Sequence, residues 1–228
     1  MSYQKVFGKD AEKLQGKSIV IIGAGGTGCS VAQLLGRMKI PFTIIDADIV
    51  DTTNLERQML FEMKDLLKPK VIAIKEHLKD FCAVNAVNHM VDEKNISMIG
   101  IPDLIIDCTD NIATRLAINN YCLEKRIPWI YTGAVHGIGA IYFVDARDEN
   151  APCFACFNKE KEGETSCEIG VLNFMVSIVA SLAVNMAVRY LMSGAVEKEM
   201  IRINLTTGTV SRIAVKKREG CVCKTHSA

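Results

Sequence analysis

A glycine-rich loop between an apolar run and a helical pattern constrains the fold of this chain more than any other feature. The loop has the sequence Gly23-Ala-Gly-Gly-Thr-Gly28, the apolar run spans 17–22, and the helical pattern covers 29–38. The next apolar run, Phe42–Ile45, is followed directly by Asp46. A strand, a tight turn, a helix and a second strand in this order predict a βαβ unit with two parallel strands.

The alternation of strands and helices continues beyond this unit. It predicts an α/β fold with a Rossmann-like, mainly parallel sheet and helices on both faces. The further predicted strands span 104–107, 129–132 and 138–144, and the predicted helices between them span 69–81 and 111–125.

The composition of the sequence and its pattern of predicted elements change after Asp145. Residues 1–145 form the predicted nucleotide-binding half, and 146–228 form a C-terminal half with two cysteine pairs. Within the second half, the Gly/Glu/Lys-rich segment 158–168 is a predicted crossing loop, and the β-like segment 200–215 is expected to complete the sheet. We therefore expect a single domain over 1–228.

Charge and composition exclude several classes of protein. Lys and Arg total 27 against 26 for Asp and Glu, so no global field favours nucleic acid or an anionic membrane. The polar segment 1–18 lacks the apolar core of a signal peptide, which predicts a cytoplasmic protein. In that reducing environment the 9 cysteines are metal ligands, nucleophiles or buried small residues rather than disulfides.

The apolar segment 169–192 has about the length of a membrane span. A transmembrane helix is therefore one alternative. The other is a buried helix at a dimer or domain core, which is favoured because one face of the predicted helix carries a polar stripe. The stripe consists of Asn173, Ser177, Ser181, Asn185 and Arg189.

The glycine loop has the spacing of a phosphate-binding turn. Small residues let phosphate oxygens approach backbone N–H groups at a helix N-terminus, and Asp46 at the next strand end can bond ribose hydroxyls. On these residues alone, an NAD-type oxidoreductase and a purely structural turn are both open interpretations.

Charged motifs farther along the chain favour a site that cleaves ATP over a dehydrogenase. Two cations can neutralise a triphosphate and an aspartate can hold Mg²⁺. The alternatives are surface charges for Arg57 and Lys70 and a helix cap for Asp110. The motifs are Asp46-Ala-Asp48, Asn54-Leu-Glu-Arg57-Gln58, Lys68-Pro-Lys70 and Asp107-Cys-Thr-Asp110-Asn111.

These motifs, in this order and spacing, resemble those of the ubiquitin-activating-enzyme-like adenylyltransferases of the MoeB, ThiF and HesA type. The resemblance covers about residues 3–223. It implies ATP and Mg²⁺ as cofactors and a ThiF-type adenylation domain. It also implies a reaction in which a carboxylate attacks the α-phosphorus of ATP, releasing pyrophosphate and leaving an acyl-adenylate.

The resemblance assigns roles residue by residue. It implies that Gly25 and Gly28 line the phosphates and that Asp46 binds the ribose. Asn54, Arg57 and Lys70 would contact the triphosphate, with Gln58 supporting them. The implied catalytic residues are Arg57, Lys70 and Asp110, the last as the magnesium ligand. The implied nucleotide-binding residues are Gly23, Gly25, Gly26, Gly28, Asp46, Asp48, Asn54, Arg57, Gln58, Lys70, Asp110 and Asn111.

The substrate implied by the resemblance is the C-terminal glycine of a ubiquitin-like sulfur carrier. The alternative is a small-molecule carboxylate, as in the HcgE-like proteins of iron-guanylylpyridinol cofactor synthesis. An NAD-dependent dehydrogenase and an inactive binding scaffold remain as more distant hypotheses. A carboxylate with a pKa near ~4 is already ionised at neutral pH, so no general base is required. His136 is either a wall of the acyl site or an ordinary surface or core histidine.

Two cysteine pairs predict a metal site. Four thiolates from Cys153-x-x-Cys156 and Cys221-x-Cys223 can close a tetrahedral Zn²⁺ site. The similar family has CxxC in both pairs, whereas the second pair here is one residue shorter. Replacement of one ligand by His226 and an empty site are two alternatives that stay open beside the four-cysteine site.

The remaining cysteines divide into one candidate nucleophile and a core set. Cys167 aligns with a cysteine that forms a thioester or persulfide in some relatives, and a passenger thiol is the alternative. The predicted core thiols are Cys29, Cys82, Cys108 and Cys122.

The resemblance also implies a homodimer. Relatives place an Arg-Gln pair near the N-terminus that reaches the neighbour's ATP, and here Tyr3-Gln4-Lys5 occupies that place. Either Lys5 supplies the charge or the contribution across the dimer is missing. The apolar helix over 169–192 is expected to lie in the dimer interface, because a sheet already covered by its own helices leaves little room for it.

Overall fold

An eight-stranded sheet carries the fold. The computed structural model describes residues 2–158, 170–221 and 223. The strands are β1 (Ile19–Ile22), β2 (Phe42–Ile45), β3 (Val84–Val87), β4 (Leu104–Asp107), β5 (Trp129–Val135), β6 (Ile138–Val144), β7 (Glu199–Asn204) and β8 (Thr209–Ala214). The helices are α1 (Ser2–Phe7), α2 (Gly26–Arg37), α3 (Lys70–Leu78), α4 (Ile112–Lys125), α5 (Phe154–Phe157) and α6 (Asn173–Ser193). Short 3₁₀ segments lie at Gly8–Leu14, Thr52–Asn54, Met63–Asp65 and Ile96–Ile99.

The strand order is β3-β2-β1-β4-β5-β6-β7-β8. Strands β1 to β5 are parallel to one another, whereas β6, β7 and β8 join the sheet in antiparallel register. The predicted α/β fold is confirmed, and the last two strands complete the sheet as expected. The sheet is mixed, because its parallel nucleotide-binding part is extended by three antiparallel strands.

Each face of the sheet is covered by its own apolar cluster. Strand β1 shows why, since all of its side chains are buried and alternate between the two faces. Ile19 and Ile21 belong to the cluster formed with α2, α3 and α6, and Val20 and Ile22 belong to the cluster formed with α4 and α5. Burying one such side chain stabilises the fold by about 1.5–3 kcal/mol. Strands this apolar on both faces require helices on both sides.

Helix α6 packs against other elements of the same chain. By length and composition it could cross a membrane, yet much of it is buried against α2, β5 and β6. Buried residues such as Val179 and Ala183 face the sheet, while Ser181, Asn185 and Arg189 of the polar stripe are exposed. The premise that the sheet leaves little room for this helix is therefore wrong, because α6 packs on β5 and β6. Its place in a dimer interface stays a prediction, because the polar stripe remains exposed. The homodimer itself stays a prediction.

A glycine on β6 makes the contact between α6 and the sheet possible. A Cβ atom on Gly139 would lie 2.5 Å from Met175 Sδ and 2.6 Å from Val179 Cγ2. Both of these side chains are fully buried. Any larger residue at this position therefore pushes the helix away from the strand.

We predict that Gly139→Ala lowers the free energy of unfolding by about 1–3 kcal/mol, because overpacking a dense core costs that much. Urea denaturation measures the change. Gly137→Ala, in the turn before β6, is the matched control, since its nearest neighbour would lie 3.6 Å from the new Cβ. Equal stability of the two variants would contradict the packing of α6 on β6.

Candidate active site

A cleft of about 920 Å³ opens at the carboxyl ends of the parallel strands. The glycine loop, the residues after β2 and the residues after β4 line it. Strand β1 has β2 on one side and β4 on the other, so the chain leaves β1 at a point where the strand order reverses. Ligands of open α/β sheets bind at this switch point.

The glycine loop is tightly packed against backbone at Gly23 and Gly28, whereas the space beside Gly25 in its middle is open. Gly23 has φ of +95°, and a Cβ there would lie 2.7 Å from the carbonyl oxygen of Cys108. A Cβ on Gly28 would lie 1.9 Å from the carbonyl oxygen of Gly23. Gly25 has nothing within 4 Å of the equivalent position. It precedes α2 without a side-chain cap, so the N-terminus of this helix faces the cleft as an anion site.

Asp46 organises the loop from the end of β2. Its Oδ2 accepts a hydrogen bond from the Ala24 N–H at 2.6 Å, and its Oδ1 accepts one from the Asp48 N–H at 2.7 Å. Burial raises the pKa of Asp46, while these two N–H groups and the Lys70 ammonium oppose the rise. The carboxylate thus ties the glycine loop to the next strand at the edge of the cleft.

Lys70 is a buried cation. Its side chain is 6% exposed, and its Nζ lies 2.8 Å from Oδ2 of Asp48, whose side chain is 68% exposed. The backbone N–H of Lys70 also donates to the Asp48 carbonyl at 2.9 Å. The alternative of a solvated surface charge is therefore wrong for Lys70. An ammonium group buried at a cleft wall with one exposed counter-ion is available to a bound anion.

Arg57 is held in a small side-chain network. Its Nη2 donates to Asn54 Oδ1 at 3.2 Å, and Gln58 Nε2 donates to the same oxygen at 3.0 Å. Its Nη1 donates to the Thr53 carbonyl at 2.8 Å. Gln58 is buried, and its Oε1 has no hydrogen-bond partner among the described residues. The predicted triphosphate residues 54, 57 and 58 therefore lie together on one wall.

The residues after β4 place a carboxylate at the opposite wall. Asn111 caps α4, because its Oδ1 accepts a hydrogen bond from the Thr114 N–H at 3.0 Å. Asp110 precedes this cap and is exposed at the cleft. Asn111, and not Asp110, therefore caps α4. This arrangement leaves the Asp110 carboxylate at the cleft, where a cation bound there can meet it.

Sequence reasoning missed the ion pair that holds this wall. Asp107 is fully buried and lies 3.2 Å from Nε of Arg115. Arg115 also donates to the carbonyls of Thr109 and Thr132 and lies over the Tyr131 ring. Burial raises the pKa of Asp107, and the Arg115 guanidinium opposes this. One signal pointed to the pair: an arginine in the first turns of the helix that follows the Asp107 motif.

His136 lies outside the cleft. It is exposed in the turn between β5 and β6, with φ of +50°. Its backbone N–H donates to Gly170, and its carbonyl accepts from Leu172. Of the two alternatives for this residue, the surface histidine fits the structure better, because His136 is exposed and is not among the residues that line the cleft.

Four cysteines converge on the far side of the sheet from α6. The sulfur of Cys153 lies 3.9 Å from that of Cys156 and 3.5 Å from that of Cys221. The sulfurs of Cys156 and Cys223 lie 3.6 Å apart. The Arg218 N–H donates to Cys156 at 3.4 Å. All four thiols are buried, so the shorter second pair still closes the cluster.

The other cysteines among the described residues are buried or partly buried. Cys29, Cys108 and Cys122 are buried, and Cys82 is partly buried. Burial raises the pKa of Cys29 to about 12 and raises the pKa of Cys108 and Cys122 as well, so these thiols stay protonated and serve as core residues. Cys167 and His226 lie outside the described residues.

Residues 1–223 match the sequence model of the ThiF family, and the chain belongs to that family. The Sulfur carrier protein ThiS adenylyltransferase of Escherichia coli K12 is 30% identical over 223 residues, covering 93% of this chain and 88% of the relative. The Molybdopterin-synthase adenylyltransferase of Haemophilus influenzae is 32% identical over 179 residues, covering 75% and 73%.

Solved structures support the fold. A crystal structure of E. coli MccB with MccA-N7isoASN has a TM-score of 0.83 at 20% identity, covering 94% of this chain and 68% of that chain. A crystal structure of PaaA has a TM-score of 0.77, covering 92% and 67%. The predicted family and the enzyme class, an adenylyltransferase, are confirmed by the family and its relatives.

We predict that Arg115→Ala lowers the free energy of unfolding by about 3–5 kcal/mol, because it leaves the Asp107 carboxylate buried without its cation. Lys64→Ala is the control, since Lys64 pairs with Glu62 at 2.7 Å on the surface. Removing that exposed pair costs about 0–1 kcal/mol. Chemical denaturation compares the two variants. A loss below 1 kcal/mol for Arg115→Ala would show that the pair does not hold the wall.

Proposed function

We propose that this protein activates a carboxylate with ATP, forming an acyl-adenylate and releasing pyrophosphate. The observation that carries the proposal is that one cleft combines three features. These are the open N-terminus of α2 at Gly25, the buried ammonium of Lys70 and the networked guanidinium of Arg57. Two fixed cations beside a helix N-terminus suit a triphosphate, whereas a dinucleotide diphosphate needs neither of them.

The substrate we propose is the C-terminal glycine of a ubiquitin-like sulfur carrier. Two similar relatives are named for the ThiS sulfur carrier and for molybdopterin synthase. These names favour a protein carboxyl terminus over the small-molecule carboxylate of the alternative hypothesis. The ThiF family and the adenylyltransferase class also disfavour the dehydrogenase.

The chemistry follows from positioning and charge. A carboxylate oxygen attacks the α-phosphorus, and the bond from that phosphorus to the oxygen bridging to the β-phosphorus breaks. Both bonding electrons leave with pyrophosphate, so Arg57 and Lys70 stabilise negative charge as it grows on the leaving group. The attacking carboxylate is ionised at neutral pH, so the reaction requires no general base. The absence of histidine from the sequence motifs assigned to the site fits this chemistry.

A divalent cation completes the proposed charge balance. Asp110 would hold Mg²⁺ at the phosphates, because its carboxylate is exposed and lines the same cleft as the two cations. The carboxylate oxygen is the ligand that Mg²⁺ prefers. Asp46 would bond the ribose with the lone pairs that its two backbone hydrogen bonds leave open.

We also propose that the four-cysteine cluster binds one structural Zn²⁺. Four sulfurs placed tetrahedrally at ~2.3 Å from zinc lie roughly 3.8 Å apart. Three of the sulfur–sulfur separations are 3.5, 3.6 and 3.9 Å, close to that value, and all four sulfurs lie within 4.8 Å of one another. The zinc would tie Cys221 and Cys223 back to the segment at α5. Zinc in such a closed site stabilises the fold and takes no part in catalysis.

Other expectations stay as proposals. They are a homodimer, a contribution of Lys5 across it, a cytoplasmic location without membrane or nucleic-acid partners, and a thioester or persulfide at Cys167. The carboxylate reacts with ATP without any thiol, so adenylation itself does not require Cys167.

We predict that Arg57→Ala and Lys70→Ala each lose about 2–4 kcal/mol of transition-state stabilisation, the cost of removing one preorganised donor. Substrate-dependent exchange between ATP and labelled pyrophosphate measures the loss. Lys68→Ala is the matched control, because Lys68 lies in the same Lys-Pro-Lys motif but pairs with Asp65 and Glu76. Near wild-type exchange in folded Arg57 or Lys70 variants would refute the assignment.

We predict about one zinc per chain and its loss in Cys221→Ser, since a structural site requires all four ligands. Elemental analysis of protein purified from zinc-supplied cells measures it. Cys82→Ser keeps the metal, because Cys82 lies outside the cluster. Unchanged zinc content in Cys221→Ser, or none in the wild type, would overturn the zinc proposal.

A further inference from the structure

The cleft continues beyond the nucleotide site across the antiparallel strands. Gly133 of β5 is opposite Ala140 of β6, Ala140 is opposite Arg202 of β7, and Arg202 is opposite Ser211 of β8. These four residues form a cross-strand row that runs perpendicular to the strands. Gly133, Ala140 and Arg202 all line the same cleft as the glycine loop.

The row is a groove because its floor is small and its borders are larger. On one side, Tyr131 is opposite Tyr142, and Met200 is opposite Ile213. On the other side, Val135 is opposite Ile138. Side chains on one face of a sheet alternate along each strand, so these pairs stand on the same face as the row. At Gly133 the Tyr131 hydroxyl covers the floor, since it lies 2.5 Å from where a Cβ atom would be. Ala140 and Ser211 offer small side chains over which an extended chain can lie.

Arg202 is the charged residue of this row, and its charge lacks a counter-ion among the described residues. Its side chain is exposed, and it makes no ion pair or hydrogen bond with any residue in 2–158, 170–221 or 223. Its cross-strand neighbours are Ala140 and Ser211, neither of which carries charge. By contrast, Arg212 on β8 points to the α6 side and pairs with Glu197 at 2.8 Å.

We propose that Arg202 is a specificity residue that recognises an acidic side chain of a peptide substrate lying in this groove. The proposal rests on the proposed function, because the groove leads to the carboxylate-activating site. A guanidinium at one end of a groove with small uncharged residues suits a carboxylate, which it can bind with two parallel hydrogen bonds. The occupant is thus the carboxyl-terminal tail of a protein or peptide, in extended form.

The register gives the position of the acidic residue. Neighbouring strands are about 4.8 Å apart, so Gly133 and Arg202, two strands apart, are separated by roughly 10 Å across the sheet. An extended chain covers this distance in about three residues at ~3.3 Å each. The side chain of Arg202 adds reach. We place the terminal carboxylate at the Gly133 end of the row, because β5 adjoins the parallel strands that carry the nucleotide cleft. The acidic residue then lies about three to five positions before it.

The test uses synthetic octapeptides that end in Gly-Gly and carry one glutamate at the third, fourth, fifth or sixth position from the carboxyl end. Glutamine and lysine versions complete the set. Equilibrium binding is measured by fluorescence anisotropy with a non-hydrolysable ATP analogue present, and kcat/KM is measured by pyrophosphate exchange. The proteins are wild type, Arg202→Gln, Arg202→Glu and the control Arg212→Gln.

The wild type is expected to bind one glutamate peptide about tenfold more tightly than its glutamine version, the effect of one charge-assisted contact. Arg202→Gln loses this preference, Arg202→Glu shifts it to the lysine peptide, and Arg212→Gln keeps it. A preference that survives Arg202→Gln, no preference at any position, or no peptide binding by the wild type would each overturn the proposal.

The two readouts separate this proposal from the function on which it rests. Pyrophosphate exchange with every peptide, unaffected by glutamate or by Arg202, would overturn the specificity role and leave adenylation standing. An Arg202-dependent binding preference without pyrophosphate exchange would support the groove and count against adenylation of these carboxyl termini.

Discussion

The close approach of the glycine loop to the end of β4 is the constraint on which the site depends. Gly23 lies against the Cys108 carbonyl, where any Cβ would collide with backbone. This contact sets the start of α2 beside the residues that follow β4, and it puts the helix N-terminus and Asp110 in one cleft. A side chain at Gly23 would force the ends of β1 and β4 apart, and one at Gly28 would force α2 away from the loop. In either case the walls of the cleft would separate.

The charged groups in and around the cleft are of two kinds. Lys70 and Arg57 are held by partners that are exposed or neutral, so a bound anion can share them. The Asp107–Arg115 pair is buried and has its hydrogen-bond partners within the chain, and it holds the neighbouring residues in place. In the proposed reaction the first kind of group contacts the substrate, and the second maintains the geometry of the loop that carries Asp110. This division suits catalysis by positioning and electrostatics, in which no proton needs to be removed from the attacking group.

Local sequence patterns were enough to predict most of the architecture. The strands at 42–45, 104–107 and 138–144 have their predicted bounds, because continuous apolar runs mark strands buried on both faces. Strand β3 was missed because Val-Asn-Ala-Val is short and half-exposed. The residues that bury α6 come from elements far apart in the chain, which local patterns do not encode. Arg115 follows Asp107 closely in sequence, but their pairing depends on how α4 is oriented relative to β4, and local patterns do not give this orientation. The motif residues converged on the cleft, whereas the burial of Lys70 required the tertiary structure.

The fate of a labelled carboxylate oxygen tests the central claim most directly. A Gly-Gly peptide with both oxygens of its terminal carboxylate replaced by ¹⁸O is incubated with the enzyme and ATP, and hydroxylamine then captures the activated acyl group. Attack of the carboxylate on the α-phosphorus leaves the bridging oxygen with AMP, so mass spectrometry should find one ¹⁸O in each AMP formed. Unlabelled AMP, or ADP and phosphate as the products, would contradict adenylation at this site.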